Sequence, residues 1–171
     1  MLDLITKSFA NALTLMNLVF GFLAIISVQN KDYHWAAIFI ICAVVMDGMD
    51  GKIARRLGST SDLGKELDSL CDLVSFGVAP AALLYAQVIA SDYHLIGLLS
   101  VLFFVVCGAL RLARFNVLNI HEYFVGVPIT IAGGILGIVS LLAFKTSSMV
   151  ILVLILFLSF MMISNIRIPK L

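Results

Sequence analysis

The chain has 171 residues, 62% of them hydrophobic and 12% charged, with a formal net charge of +1 and a mean hydropathy of +1.14. This composition excludes a water-soluble core and fits an all-α, polytopic integral membrane protein, read as a single helical domain over residues 1–171. The few bases are spread along the chain and not gathered into a patch or tail, so nothing points to a nucleic-acid partner.

Residues 2–8, LDLITKS, are short and of mixed polarity and fit a short helix lying at the membrane interface. A first membrane span follows at about 9–28. It lacks the cleavage site of a signal peptide and carries polar Asn11, Thr14 and Asn17, each three residues from the next. With Gly21 these lie near one face, where they either pack helices together or line a site. A second span covers about 33–57. It is longer than the ~20 residues a bilayer needs, so its last turns, with Lys52, Arg55 and Arg56, emerge into water. A third span, at about 63–89, contains SFGVAPA, where Pro80 should bend the helix and open a cleft near Asp72.

Charge gathers where the second and third spans meet. Residues 47–72, DGMDGKIARRLGSTSDLGKELDSLCD, hold ten charged side chains, six of them acidic. Carboxylates at membrane depth are costly and read by default as functional. Asp47 and Asp50 are three apart, and Asp68 and Asp72 four apart, so each pair lies along one helical face. If LGSTSD reverses the chain, the two pairs face each other. Four converging carboxylates repel unless a cation sits among them. All-oxygen ligation suits Mg2+ or Mn2+, which keep open positions for phosphates. Gly51, Ala54 and Gly64 lie on the acidic faces and leave room for a ligand, and Arg55 is placed to pair with a phosphate. Structural ion pairing is the plain alternative, but surface pairs need no such fixed gaps.

A fourth span, at about 95–118, ends with Arg111 and Arg114 one turn apart and Asn116 beside them. A single arginine there would snorkel to the headgroups; two on one face suit an anion. The fifth span, at about 125–144, places Pro128 in its first turn and is thinned by Gly126, Gly133, Gly134 and Gly137. The sixth, at about 148–165, is aliphatic and aromatic and faces lipid; Arg167 and Lys170 follow it. With the N-terminus inside, nine bases fall on inner segments and only Lys31 and Lys145 on outer links. That asymmetry puts both termini and the acidic stretch on the cytoplasmic side of the cell membrane. Cys42, Cys71 and Cys107 have no ligand spacing and read as structural thiols.

The pattern Asp47-x2-Asp50-Gly51-x2-Ala54-Arg55-x8-Gly64-x3-Asp68-x3-Asp72 resembles, position for position, the signature of the CDP-alcohol phosphatidyltransferase family. SFGVAPA, GALRLARFNV and FVGVPIT, with NALTLMNLVFGF near the start, are similar to the phosphatidylserine-forming branch of that family. The resemblance implies a metal-dependent enzyme, a homodimer in membrane lipid. It moves a substituted phosphoryl group from a CDP-linked lipid, ester-linked or an archaeal ether analogue, to an alcohol and releases CMP. By the same resemblance Asp47, Asp50 and Asp68 ligate Mg2+ or Mn2+, and Asp72 is both ligand and general base. Gly51, Ala54, Arg55, Thr60 and Gly64 surround the cytidine and its phosphates, with Thr14 and Asn17 on the same CDP-lipid site. The branch implies L-serine as acceptor, held by Arg111, Arg114 and Asn116. Glycerol 3-phosphate or an inositol phosphate is the alternative acceptor. A cation transporter is the alternative of another class, against which stand the absence of inverted halves and the gathering of acids at one face.

Overall fold

The computed structural model describes the backbone of residues 2–57, 62–118, 123–143, 146–164 and 167–169, and side chains within 11–49, 51, 63–117, 126–143 and 146–164. Helices α1 (Leu2–Gln29) and α2 (Tyr33–Leu57) are followed by α3, a continuous helical run over 62–92, and by α4 (His94–Leu118). Then come strand β1 (Tyr123–Val125), helices α5 (Ile129–Leu141) and α6 (Ser148–Ile163), and strand β2 (Arg167–Pro169). The strands pair antiparallel, with Phe124 opposite Ile168.

The expected interfacial helix at 2–8 is not a separate element. No glycine or proline interrupts the sequence there, and the backbone runs unbroken into α1. At the far end of α1, Lys31 adopts φ 63° and the Asp32 amide bonds the Ser27 carbonyl at 2.9 Å, so that α2 returns alongside α1. The fifth helix starts later than expected. Pro128, with φ −58° and ψ 140°, precedes α5 as its cap residue and does not sit in its first turn, because the residues before it pair as β1.

At Pro80, where the sequence predicts a bend, the helix continues and the turn before it is widened. Proline offers no N–H to the turn before it, and residues Leu73–Val78 widen into a π-helical turn in which the Ala79 amide bonds the Val74 carbonyl. A second π-helical turn covers Tyr85–Ile89. Three helical stretches are long and apolar enough to cross a membrane, 11–29, 63–92 and 94–117; the apolar runs Tyr33–Met49, Ile129–Leu141 and Ser148–Ile163 are shorter. The molecule is thus a polytopic membrane protein built from helices.

In lipid, helices associate through close packing and interhelical hydrogen bonds, not through the hydrophobic effect. Here α1 lies on α2, α2 on α5, and α4 on α6, while the first half of α3 touches α1, α5 and α4. Phe76, Phe104, Ile129, Leu136 and Ile155 are fully buried where these helices meet. The first π-helical turn is clamped from two sides. A Cβ on Gly21 of α1 would strike Ser75, and one on Gly133 of α5 would strike the Phe76 backbone. The outward faces, including Leu95, Leu99, Leu102 and Val106 of α4 and Val150, Val153 and Phe157 of α6, are exposed and apolar, as a surface against acyl chains must be.

Candidate active site

The clamp on α3 determines where Asp72 points. Asp72 is the last residue before the widened turn, and Ser75 within that turn donates to the main-chain carbonyl of Asn17 at 3.0 Å. Asn17, fully buried in α1, returns a bond of its own: Nδ2 donates to Asp72 Oδ1 at 3.1 Å. Asp72 is therefore almost wholly enclosed, at 6% exposure, yet anchored.

Onto this carboxylate converge two others. One ligand oxygen from each of Asp47 on α2 and Asp68 and Asp72 on α3 lies within 4.8 Å of the rest. The fixed gaps in the sequence thus do bring acids from two helices together. The backbone of Asp50 lies on α2, one helical turn beyond Asp47, but its side chain is outside the described residues, as are those of Ala54 and Arg55. Thr60 lies wholly outside them. Gly64 is half-buried near the start of α3. Among the described residues, a Cβ built on Gly48 or Gly51 would meet nothing within 4 Å, which leaves an open wall on the α2 side. Thr14 is buried one helical turn before Asn17.

The residues expected to hold an anion divide. Arg111 is half-buried, its guanidinium close enough to Asp72 to feel its charge and 5.7 Å from the Phe115 ring centroid. Arg114 turns elsewhere and donates to the Ile163 carbonyl at 3.4 Å, at the end of α6. Asn116 ties α4 to α3, donating to Ser69 Oγ at 3.0 Å and to Glu66 Oε1 at 3.3 Å. Arg111 is thus the member of that trio whose charge interacts with the acidic cluster.

Two residues at the cluster escaped the sequence reading. Thr130, in the first turn of α5, brings its hydroxyl close to the Asp47 carboxyl. Its signal was present in FVGVPIT, but nothing in the sequence says that a helix starting there would abut α2. Ser75 likewise stands inside SFGVAPA, and its bond to α1 depends on the widened turn.

The donor set suits a hard divalent cation. Oxygens of Asp47, Asp68 and Asp72 lie within 4.8 Å of one another, and carboxylates gathered that closely at neutral pH repel unless a proton or a cation sits among them. All the ligand atoms are oxygens, which favours Mg2+, Mn2+ or Ca2+ over zinc or copper. Such a centre beside an open wall can bind a phosphate-bearing ligand and offer a carboxylate as proton acceptor.

Comparison with known proteins agrees with this chemistry. The family profile described as CDP-alcohol phosphatidyltransferase matches residues 7–166. The CDP-diacylglycerol–serine O-phosphatidyltransferase of Bacillus subtilis is 39% identical over 92% of this chain and 87% of its own length. The protein of the same name from Methanocaldococcus jannaschii is 39% identical over 92% of this chain and 71% of its own. That of Helicobacter pylori is 34% identical over 95% and 72% respectively. With the family profile covering nearly the whole chain and its acids drawn together on two helices, this membrane-embedded enzyme belongs to the CDP-alcohol phosphatidyltransferase family.

Proposed function

We propose that the chain transfers the phosphatidyl group of CDP-diacylglycerol, or of an ether-linked counterpart, to the hydroxyl of L-serine, giving phosphatidylserine and CMP. The observation that carries the reaction type is the meeting of Asp47, Asp68 and Asp72 within 4.8 Å on two helices. The serine acceptor is supported by the names of the relatives and by Arg111 beside Asp72.

Asp47, Asp68 and Asp72, with Asp50 by its place on the same helix, would hold Mg2+ or Mn2+. When bound, the cation supplies neutralisation of the diphosphate charge as its P–O bond breaks. The nucleotide lies along the open wall at Gly48 and Gly51, with Ala54, Arg55, Thr60 and Gly64 around it, and Thr14 on the α1 side. Asp72 accepts the proton of the serine hydroxyl, which is a poor nucleophile while protonated. The freed oxygen forms its bond to the lipid-bearing phosphorus, the bond from that phosphorus to the CMP oxygen breaks, and CMP leaves. Attack of the serine oxygen on the phosphorus is direct and in line, with no covalent enzyme intermediate. Asn17 fixes the Asp72 rotamer through its amide, and Arg111 attracts the serine carboxylate. The exposed apolar faces keep the acyl chains in the bilayer while the headgroup reacts.

In the same reading all the helices α1 to α6 cross the cell membrane, the acidic site and both termini face the cytoplasm on the count of bases, and two copies associate. The test is CMP release from CDP-diacylglycerol by detergent-solubilised protein with Mg2+ or Mn2+, with L-serine, glycerol 3-phosphate, an inositol phosphate and no acceptor run in parallel. Serine-dependent release is expected. Release with another alcohol alone would overturn the acceptor while keeping the reaction.

A further inference from the structure

Among the described residues, two buried side-chain polar atoms have no hydrogen-bond partner, Asn17 Oδ1 and Arg111 Nε. They are not scattered. Asn17 donates to Asp72 through its other amide atom, at 3.1 Å, and the Arg111 guanidinium acts on the charge of the same carboxylate. The orientation of the Asn17 amide is dictated by chemistry, because an ionised carboxylate can only accept. Nδ2 must therefore face Asp72, and the oxygen is the atom left over. Nor can this side chain swing out to water. It is fully buried, and Ser75 pins its main-chain carbonyl at 3.0 Å.

Buried polar atoms are ordinarily paired, and exceptions call for an explanation. One unpaired acceptor on the residue that contacts Asp72, and one unpaired donor on an arginine within electrostatic range of that carboxylate, match a ligand that brings a donor, an acceptor and a hydroxyl. A zwitterionic β-hydroxy amino acid brings all three, and its ammonium and hydroxyl sit on adjacent carbons. An amide and a carboxylate already in contact are spaced for that pair. A phosphorylated polyol would engage Arg111 but would bring no ammonium to the amide oxygen.

We infer that Asn17 Oδ1 receives the α-ammonium of the acceptor while Arg111 Nε donates to its carboxylate, so that these two residues read the zwitterion and Asp72 takes the hydroxyl. The assignment rests on the serine reading above and moves Asn17 from the CDP-lipid site, where the sequence reading put it, to the acceptor site. It also explains why a residue deep in α1 has its side chain turned toward α3: the ammonium is recognised by a neutral oxygen, which adds no further negative charge beside the clustered acids.

The experiment measures the KM for L-serine and the competitive Ki of two serine analogues, 3-hydroxypropanoate, which lacks the ammonium, and ethanolamine, which lacks the carboxylate. Asn17→Leu, similar in size and without an acceptor, should raise the serine KM and the ethanolamine Ki about tenfold and leave the 3-hydroxypropanoate Ki within about twofold, in line with the tenfold per 1.4 kcal/mol scale for one lost charged hydrogen bond. Arg111→Gln should do the converse, weakening serine and 3-hydroxypropanoate together and sparing ethanolamine. Asn17→Ala, which adds no bulk, reads the same ratios should Asn17→Leu fail to accumulate in membranes. Equal losses for serine and 3-hydroxypropanoate with Asn17→Leu or Asn17→Ala would reduce Asn17 to a support for Asp72 and overturn the assignment. A rise confined to the KM for CDP-diacylglycerol would overturn it too, by returning Asn17 to the nucleotide lipid. Failure of the serine reading itself would show separately, as wild-type protein that releases CMP with an acceptor other than serine.

Discussion

Helix α3 widens twice, and the two places differ in what their polar side chains do. At the second π-helical turn every named group closes on a neighbour. Gln87 donates to the Ser140 carbonyl at 3.2 Å and accepts from the Ser140 hydroxyl at 2.6 Å. Tyr85 meets His94 Nδ1 at 3.0 Å, and just beyond the turn Asp92 accepts from Ser148 at the start of α6. At the first turn, Asp72 is anchored by Asn17, but two buried atoms around it go unmatched and two more carboxylates crowd in. Both turns place polar groups inside an apolar bundle, where each must find a partner or cost stability. The closed set is architecture. The set with unspent hydrogen-bonding capacity is where we propose that a substrate fits.

Substitutions should separate the two turns by the quantity they move. Asp72→Asn keeps the shape of the anchored side chain and removes the proton acceptor. CMP release should fall by about 10²–10⁴-fold, while binding of CDP-diacylglycerol by the purified protein persists. Unchanged turnover would place the base elsewhere and erase the contrast. Gly21→Val drives a side chain into Ser75 and should destabilise the protein by about 1–3 kcal/mol, lowering the unfolding temperature in detergent and turnover together. An unchanged unfolding temperature would mean that α1 does not clamp the first turn. Thr130→Val removes the hydroxyl beside Asp47 and should weaken Mn2+ binding about tenfold, read by titration of the paramagnetic signal of free Mn2+. At the second turn, the double substitution Gln87→Leu with Ser140→Ala replaces both partners of a closed pair and should shift stability by under about 1 kcal/mol. Its KM values for serine and CDP-diacylglycerol should not move. A changed KM would give the second turn a share in the chemistry.

The acidic site was legible because its logic is written in sequence spacing. Asp47, Asp68 and Asp72 fall on helical faces at fixed gaps, and two apolar helices leave them few places to go. The helices themselves were legible from composition, since a hydrophobic run in this chain has one way to satisfy its backbone. What was not legible depends on how one helix meets another. Arg114 and Arg111 are a turn apart and chemically alike, yet one bonds the end of α6 and the other lies within electrostatic range of Asp72, a difference decided by the packing of α4 on α6 and α3. Asn116 looked like a ligand for an anion and is a tie between α4 and α3 because Ser69 and Glu66 happen to face it. Pro80 signals an irregular turn but not its form, since a widened turn and a simple kink begin from the same missing N–H. The strand pair was invisible, being too short on either side for a period to show.

That strand pair reaches further than its length suggests. Its backbone pairing lays 167–169 along 123–125, and the chain then passes through Gly126, at φ 74°, where any side chain would strike the Met162 carbonyl, and through Pro128 into α5 and Thr130. The tail is thus mechanically coupled to the helix that touches Asp47. An attachment crowding residues 167–169 would load this latch, and a cut that frees them from 123–125 would release it. Biochemists handling the protein would meet the effect as a loss of activity from a cut or an attachment far along the sequence from any acidic residue.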